Sequence, residues 1–215
     1  MNLAEEFLLL SLDDEKGSLG GWVDYGLAAA VLIELGQQGR IGVDDGHVVV
    51  RGGDPTGDEV LDRAMRVIAG SRKPRTVLDW ATHFGTEGEA KRALLQRLVA
   101  AGILREEQRR FLRVFPYKRY PTEQPGPEHE VVERVRAVLL SSAAPDPPTR
   151  ALIGLLRTCQ VMGSVLDDDE HETVNQRLAE VCELDPTADG LVAAVTQAIV
   201  ALQTAYAMTM TLGVP

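Results

Sequence analysis

Cysteine is scarce in this chain: two residues of 215, Cys159 and Cys182, each in a stretch with helical spacing. They form no C-x-x-C pair and no dense framework. This excludes a disulfide scaffold, fits a reducing compartment and leaves both thiols as expected small core residues. Catalytic signatures are also missing. The sequence has no G-x-G-x-x-G, G-x-x-x-x-G-K-[ST], G-x-S-x-G or H-E-x-x-H, so no phosphate-cradling loop, nucleophile elbow or zinc helix is predicted. His47, His83, His129 and His171 are scattered. One carboxylate cluster exists, Asp167-Asp168-Asp169-Glu170 followed by His171 and Glu172. It fits a turn whose acids cap the next helix better than a cation site, because no Gly-bearing loop or second acidic run completes it. No catalytic residue, metal or cofactor is expected, and the chain reads as non-enzymatic.

Signals for export and membrane crossing are weak. Glu5 and Glu6 stand where a signal peptide needs basic residues, and no small-residue cleavage site follows Phe7 to Leu10. Gly190 to Pro215 carries no formal charge over 26 residues, long enough to span a bilayer. Its Thr and Gln residues on a mostly alanine background instead predict a helix buried on all sides.

Positive charge is in deficit, 22 Lys and Arg against 32 Asp and Glu, for a net charge of −10. Such a balance repels polyanions unless the cations are gathered. They are gathered in sequence: residues 63–119 hold 14 basic and 5 acidic residues, leaving 8 and 27 elsewhere.

Hydrophobic spacing predicts a mainly α protein with two small β-hairpins. Helices are expected over Asn2–Leu12, Trp22–Gln37, from Asp58 through Ile68, Thr76–Phe84 and Glu87–Ala101. Asp13–Gly21 reads as a turn. Arg40–Arg51 reads as a hairpin turning at Asp44-Asp45-Gly46, and Ile103–Tyr120 as a second, projecting one. Pro121–Pro127 reads as a linker. Beyond it come helices at Glu128–Ser141, Pro148–Leu166, Asp169–Glu183 and Leu191 to about Leu212. The expected organisation is one domain over 1–215, with both hairpins in 1–120 and an all-helical part from 128.

The second hairpin carries the distinctive chemistry. Residues 91–119 hold Lys91, Arg92, Arg97, Arg105, Arg109, Arg110, Arg113, Lys118 and Arg119, interleaved with Phe111, Phe115 and Tyr117. Cations alternating with rings can lie on an anionic bilayer or on nucleic acid. About four cations at roughly 1 kcal/mol each and one inserted ring at about 2 kcal/mol suffice for reversible, salt-sensitive docking. The order helix, helix, hairpin from Thr76 also fits a winged helix with Lys91, Arg92 and Arg97 toward the bases. The acidic remainder makes nucleic acid the weaker partner. A soluble protein-interaction scaffold is the third reading.

Four segments in order, "LAEEFLLLSLDDEKG", "GLAAAVLIELGQQGRI", "DPTGDEVLDRAM" and "LVAAGILREEQRRFL", resemble the Golgi phosphoprotein 3 family. The likeness extends more loosely through "TRALIGLLRTCQVMGSVL". It implies a helical domain with an outward hairpin and a peripheral membrane adaptor that binds phosphatidylinositol 4-phosphate and retains membrane-enzyme cargo. The resemblance puts Trp22 and Lys91 in the headgroup pocket, with Arg92 and Arg75 as candidate substitutes for two cations. Those two positions are occupied here by Ala28 and Gly88. It assigns Arg109, Arg110, Phe111, Phe115 and Tyr117 to membrane contact or homo-oligomer formation. A cytoplasmic, reversibly membrane-associated protein is implied: on the Golgi cytosolic face in a eukaryote, in the cytosol or at the inner membrane in a bacterium.

Overall fold

The computed structural model describes residues 1–12, 22–111, 115–141, 144–183 and 190–211. The turn expected at Asp13–Gly21, the tip of the second hairpin, and the side chains of Arg110, Phe111 and Phe115 lie outside the described residues. Among those residues the chain forms nine α-helices and two two-stranded antiparallel sheets, the mainly helical architecture that the spacing predicts.

Helix α1 (Leu3–Leu10) is opened by a capping box. Asn2 accepts from the Glu5 N–H, while the Glu5 carboxylate takes the N–H of Asn2. Eight residues are too few to hold a helix in water. Every residue of α1 is buried, so tertiary packing holds it. It lies on α2 (Val23–Gln37), the central helix, and the contact is close because Gly26 has no side chain. A Cβ there would fall 2.3 Å from Phe7 Cζ and 2.7 Å from Cys159 Sγ. Helix α2 stops in a Schellman turn: Gly39 takes φ +66° and the Arg40 N–H donates to the Leu35 carbonyl.

The first hairpin follows. Strand β1 (Ile41–Asp44) pairs with β2 (His47–Val50), from Ile41 opposite Val50 to Asp44 opposite His47. Asp45 and Gly46 both take positive φ, as a two-residue primed turn requires. Asp58 then caps α3 (Glu59–Ala69), accepting from the N–H groups of Val60 and Leu61. Helix α4 (Val77–Glu87) and helix α5 (Glu89–Ala100) share one residue as stop and start, Gly88, at φ +63°. Helix α4 runs antiparallel to α2. Its first residues meet β2, where the Val48 N–H donates to the Arg75 carbonyl. Its far end passes so close to Tyr25 that a Cβ on Gly85 would sit 2.7 Å from the ring.

Strands β3 (Glu107–Phe111) and β4 (Phe115–Arg119) form the second hairpin, with Arg109 opposite Tyr117 and Phe111 opposite Phe115. Among the described residues they pair with each other and pack broadly on no other element, so the hairpin projects. Residues 121–124 return onto its base: Arg105 donates to the Pro121 carbonyl at 3.0 Å and Glu123 to that of Ile103 at 2.8 Å.

Helices α6 (Gly126–Leu139), α7 (Pro147–Thr158), α8 (Asp168–Cys182) and α9 (Gly190–Thr211) complete the body. One connected set of buried side chains runs from Leu3 to Ile199. Two expectations need correction. The helix predicted through Leu166 stops at Thr158, because Gln160 adopts φ +60° and Val161 N–H donates back to the Leu156 carbonyl. A 3-10 turn, Met162–Ser164, follows. Nor is α9 buried all round. Val195, Ala198 and Ile199 face the core, while Gln197, Val200, Ala201 and Thr204 are exposed. It lies against α2, α4 and α7 on one side only, and Ala, Thr and Gln cost little when left in water. No helix among the described residues is long and apolar enough to cross a membrane.

Candidate functional site

The first turn of α2 has no side-chain cap among the described residues. A helix start in that condition presents unsatisfied N–H groups and the positive end of the helix dipole. Trp22 stands at this point, half-buried against the core, its ring 5.7 Å from that of Tyr25 and tilted by 44°. From the start of α5, Lys91 reaches the same turn and sets its Nζ 2.7 Å from Asp24 Oδ1. The distance makes an ion pair. Asp24 Oδ1 is buried, so this contact is only partly screened by water. The fold thus brings a tryptophan, a lysine and a helix N-terminus to one locus.

Arg92 and Arg75 go elsewhere. Arg92 is exposed and lines a groove of about 520 Å³ between α3 and α5, with Glu59, Arg63 and Val67. Arg75 belongs to the opposite end of α4, roughly 16 Å away for eleven helical residues. Its guanidinium lies over the Trp80 ring, 4.8 Å from the centroid, a cation–π contact.

The family profile described as Golgi phosphoprotein 3 (GPP34) matches residues 3–202. The chain belongs to this family. Vacuolar protein sorting-associated protein 74 of Eremothecium gossypii is a relative, 28% identical over 165 residues, covering 65% of this chain and 49% of that protein. The chain therefore spans about half the length of the curated relative it matches.

Membership gives the two departures noted in the sequence a structural meaning. Ala28 is 1% exposed within α2, one turn after Asp24, so this position adds no charge to the locus. Gly88 holds a left-handed conformation between α4 and α5 with open space around its missing Cβ, so a Cβ there would meet no neighbour but would strain the backbone. Of the basic set that the family likeness calls for, this chain keeps Lys91 at the locus. Sequence reasoning missed Asp24. A first-turn acid two residues after Trp22 was a visible sign, but only the fold reveals that Lys91 meets it.

The projecting hairpin is less cationic in space than in sequence. Glu107 accepts from Arg105 at 2.6 Å and from Arg109 Nε at 3.0 Å, and Glu106 pairs with Lys118 at 2.9 Å. The hydrogen bond from Arg109 and the nearby arginines hold the Glu107 carboxyl below its usual range. Tyr117, opposite Arg109, is 44% exposed. The winged-helix reading loses a base-reading residue. Arg97 turns inward, bonding Asp58 through both terminal nitrogens at 2.5 and 3.0 Å and Glu5 at 3.1 Å.

That inward cluster is the other electrostatic feature that sequence reasoning missed. Glu34 of α2 accepts from the Leu3 N–H at 3.0 Å and so caps α1 from outside. Burial, reinforced by Asp58 and Glu5, pushes its carboxyl up to about 7. At the acidic run, Asp167 and Glu170 form a capping box for α8 and Arg136 grips Glu170 at 2.6 and 2.8 Å. The side chains of Asp168, Asp169, His171 and Glu172 lie outside the described residues. Cys159 and Cys182 are free thiols, and burial pushes that of Cys159 up to about 12.

Proposed function

We propose that this protein is a non-enzymatic peripheral membrane adaptor that holds an anionic phosphoinositide headgroup, by family likeness phosphatidylinositol 4-phosphate, at the start of α2. One observation carries the reading: Lys91 converges with Trp22 on a helix N-terminus that lacks a side-chain cap among the described residues. The peptide N–H groups and the helix dipole supply donors to a phosphate. Lys91 supplies a full charge once the headgroup draws it from Asp24, and the indole edge covers the inositol ring. The name of the family points to the Golgi, hence to its cytosolic face; the comparisons lend no support to the inner-membrane alternative. The exposed Tyr117 and the aromatic pair in register at the hairpin tip support membrane contact or self-association there, and a retained membrane enzyme is the proposed cargo.

Co-sedimentation with vesicles of neutral lipid plus a few per cent phosphatidylinositol 4-phosphate tests the headgroup site. Lys91→Glu should lower binding at least tenfold and Trp22→Ala several-fold. Asp24→Asn, which removes the competing carboxylate, should raise it. Equal binding of wild type to phosphoinositide and neutral vesicles at low salt would remove the reading.

A further inference from the structure

The side chains of Arg72, Lys73 and Arg75 gather at the corner where the α3–α4 loop meets the first hairpin, with His47 beside them. Among the described residues Arg72 and Lys73 are exposed, and no carboxylate lies within ion-pair distance of either or of Arg75. Lys91, Arg97, Arg105, Arg109 and Lys118, by contrast, all have acidic partners. The acid that faces the cluster is Asp79, and its carboxylate is occupied by the N–H and hydroxyl of Thr76 at 2.9 Å each. Arg75 is held in place by Trp80. Ser71 braces the loop by donating to the Lys73 carbonyl at 2.9 Å. Next to these charges the hairpin leaves Val50 42% exposed, over a shallow recess floored by Val48 and Ile68.

From this arrangement we propose that the Arg72–Arg75 corner is a second membrane contact, which takes the headgroups of bulk anionic lipid such as phosphatidylserine while the α2 locus takes its phosphoinositide. The inference rests on the membrane reading above and adds a surface to it. A bilayer is the occupant that the observations favour. Three cations and one imidazole are too few for a duplex, where specific binders neutralise more phosphates, and the body at −10 repels a long polyanion. A bilayer needs only a few. Each cation at the surface is worth about fivefold in partitioning, and a peripheral protein with one weak anchor gains stable attachment from a second. The outward stripe of α4, with Leu78, Asp79 and Thr86 exposed, joins the corner to the α2 locus. Two contacts along one helix would fix how the adaptor sits on the membrane.

The test compares wild type, Arg72→Glu/Lys73→Glu and Lys91→Glu on three vesicle sets: neutral lipid with phosphatidylinositol 4-phosphate, neutral lipid with 20–30% phosphatidylserine, and both together. Both altered residues of the double variant are exposed, so its melting temperature should match wild type. It should lose binding to phosphatidylserine vesicles by more than tenfold, keep its binding to phosphoinositide in neutral lipid, and fall on mixed vesicles to the level set by phosphoinositide alone. Lys91→Glu should show the reverse pattern. A double variant that binds phosphatidylserine vesicles like wild type overturns the proposal. So does one that loses affinity for an acidic peptide or a duplex while keeping its vesicle binding. Should wild type ignore phosphoinositide yet bind phosphatidylserine through Arg72 and Lys73, the headgroup reading fails and this one stands.

Discussion

Glu34 is a single residue whose chemistry is set by where α1 lies. Its carboxylate caps α1 by accepting from Leu3, yet burial, with Asp58 and Glu5 close by, raises its pKa from 4.5 to about 7. The sign follows from proton counting. Between those two values the folded state holds a proton that the unfolded chain has released. Stability from this group is therefore fully present below about pH 4.5 and is lost as pH rises through 7. The effect is at most about 3 kcal/mol. Asp58, shifted downward despite its burial, chiefly by hydrogen bonds from Arg97 and the backbone, acts in the opposite sense and below pH 4, so the two windows do not overlap. Glu34→Gln keeps an acceptor for Leu3 and removes the charge. Its melting temperature should match wild type near pH 5 and exceed it by a few degrees at pH 8, as thermal denaturation followed by circular dichroism would reveal. A wild type and variant that track each other across that range would mean that Glu34 is solvated in solution.

At the scale of elements, the breaks decide the fold more than the helices do. Gly39 and Gly102 end α2 and α5 by turning left-handed, and both stops were legible because glycine pays no steric penalty there. Gln160 performs the same turn for α7 without that signal, which is why the sequence predicted an unbroken helix. Gly88 is the instructive case. It looks like a lost family cation in sequence, yet in space it is the joint that turns α4 into α5 and so aims Lys91 at α2. Gly88→Ala should cost about 1 kcal/mol through its positive φ, read as a lower urea midpoint. Gly88→Arg should cost the same again in stability, and its added charge beside Lys91 should strengthen phosphoinositide binding. A Gly88→Arg variant with unchanged affinity would mean that this joint faces away from the headgroup.

On the scale of the whole molecule, the charge that clusters in sequence does not form one basic face. The surplus of cations in residues 63–119 is divided. Arg97 goes to the interior acids, the base of the hairpin goes to Glu106 and Glu107, Lys91 goes to the α2 locus, and Arg72 to Arg75 form a separate corner. What projects is a hairpin with Phe111 opposite Phe115 at its end. Two aromatic residues in backbone register at the far end of the strands suit burial against a bilayer or a second copy. If self-association is their use, light scattering should give wild type a multiple of the monomer mass and Phe111→Ser/Phe115→Ser the monomer mass, with no change in phosphoinositide binding in neutral vesicles. A monomeric wild type would assign the tip to the membrane alone.

By itself the sequence determined the class of the protein: helical spacing, caps such as Asn2 and Asp58, and turn chemistry at Asp45-Gly46 are local, and local rules hold wherever the segment ends up. It also determined family membership, because ordered segments survive when single residues change. Only the tertiary structure decided which charges are spoken for. Whether Lys91 meets Asp24, Arg97 meets Asp58, or Arg72 meets no carboxylate among the described residues depends on contacts between residues far apart in the chain, and an ion pair is set by distance in space. The same holds for burial: Ala28 and Ala201 are identical in type and both lie within helices, yet one is buried and the other is exposed to water.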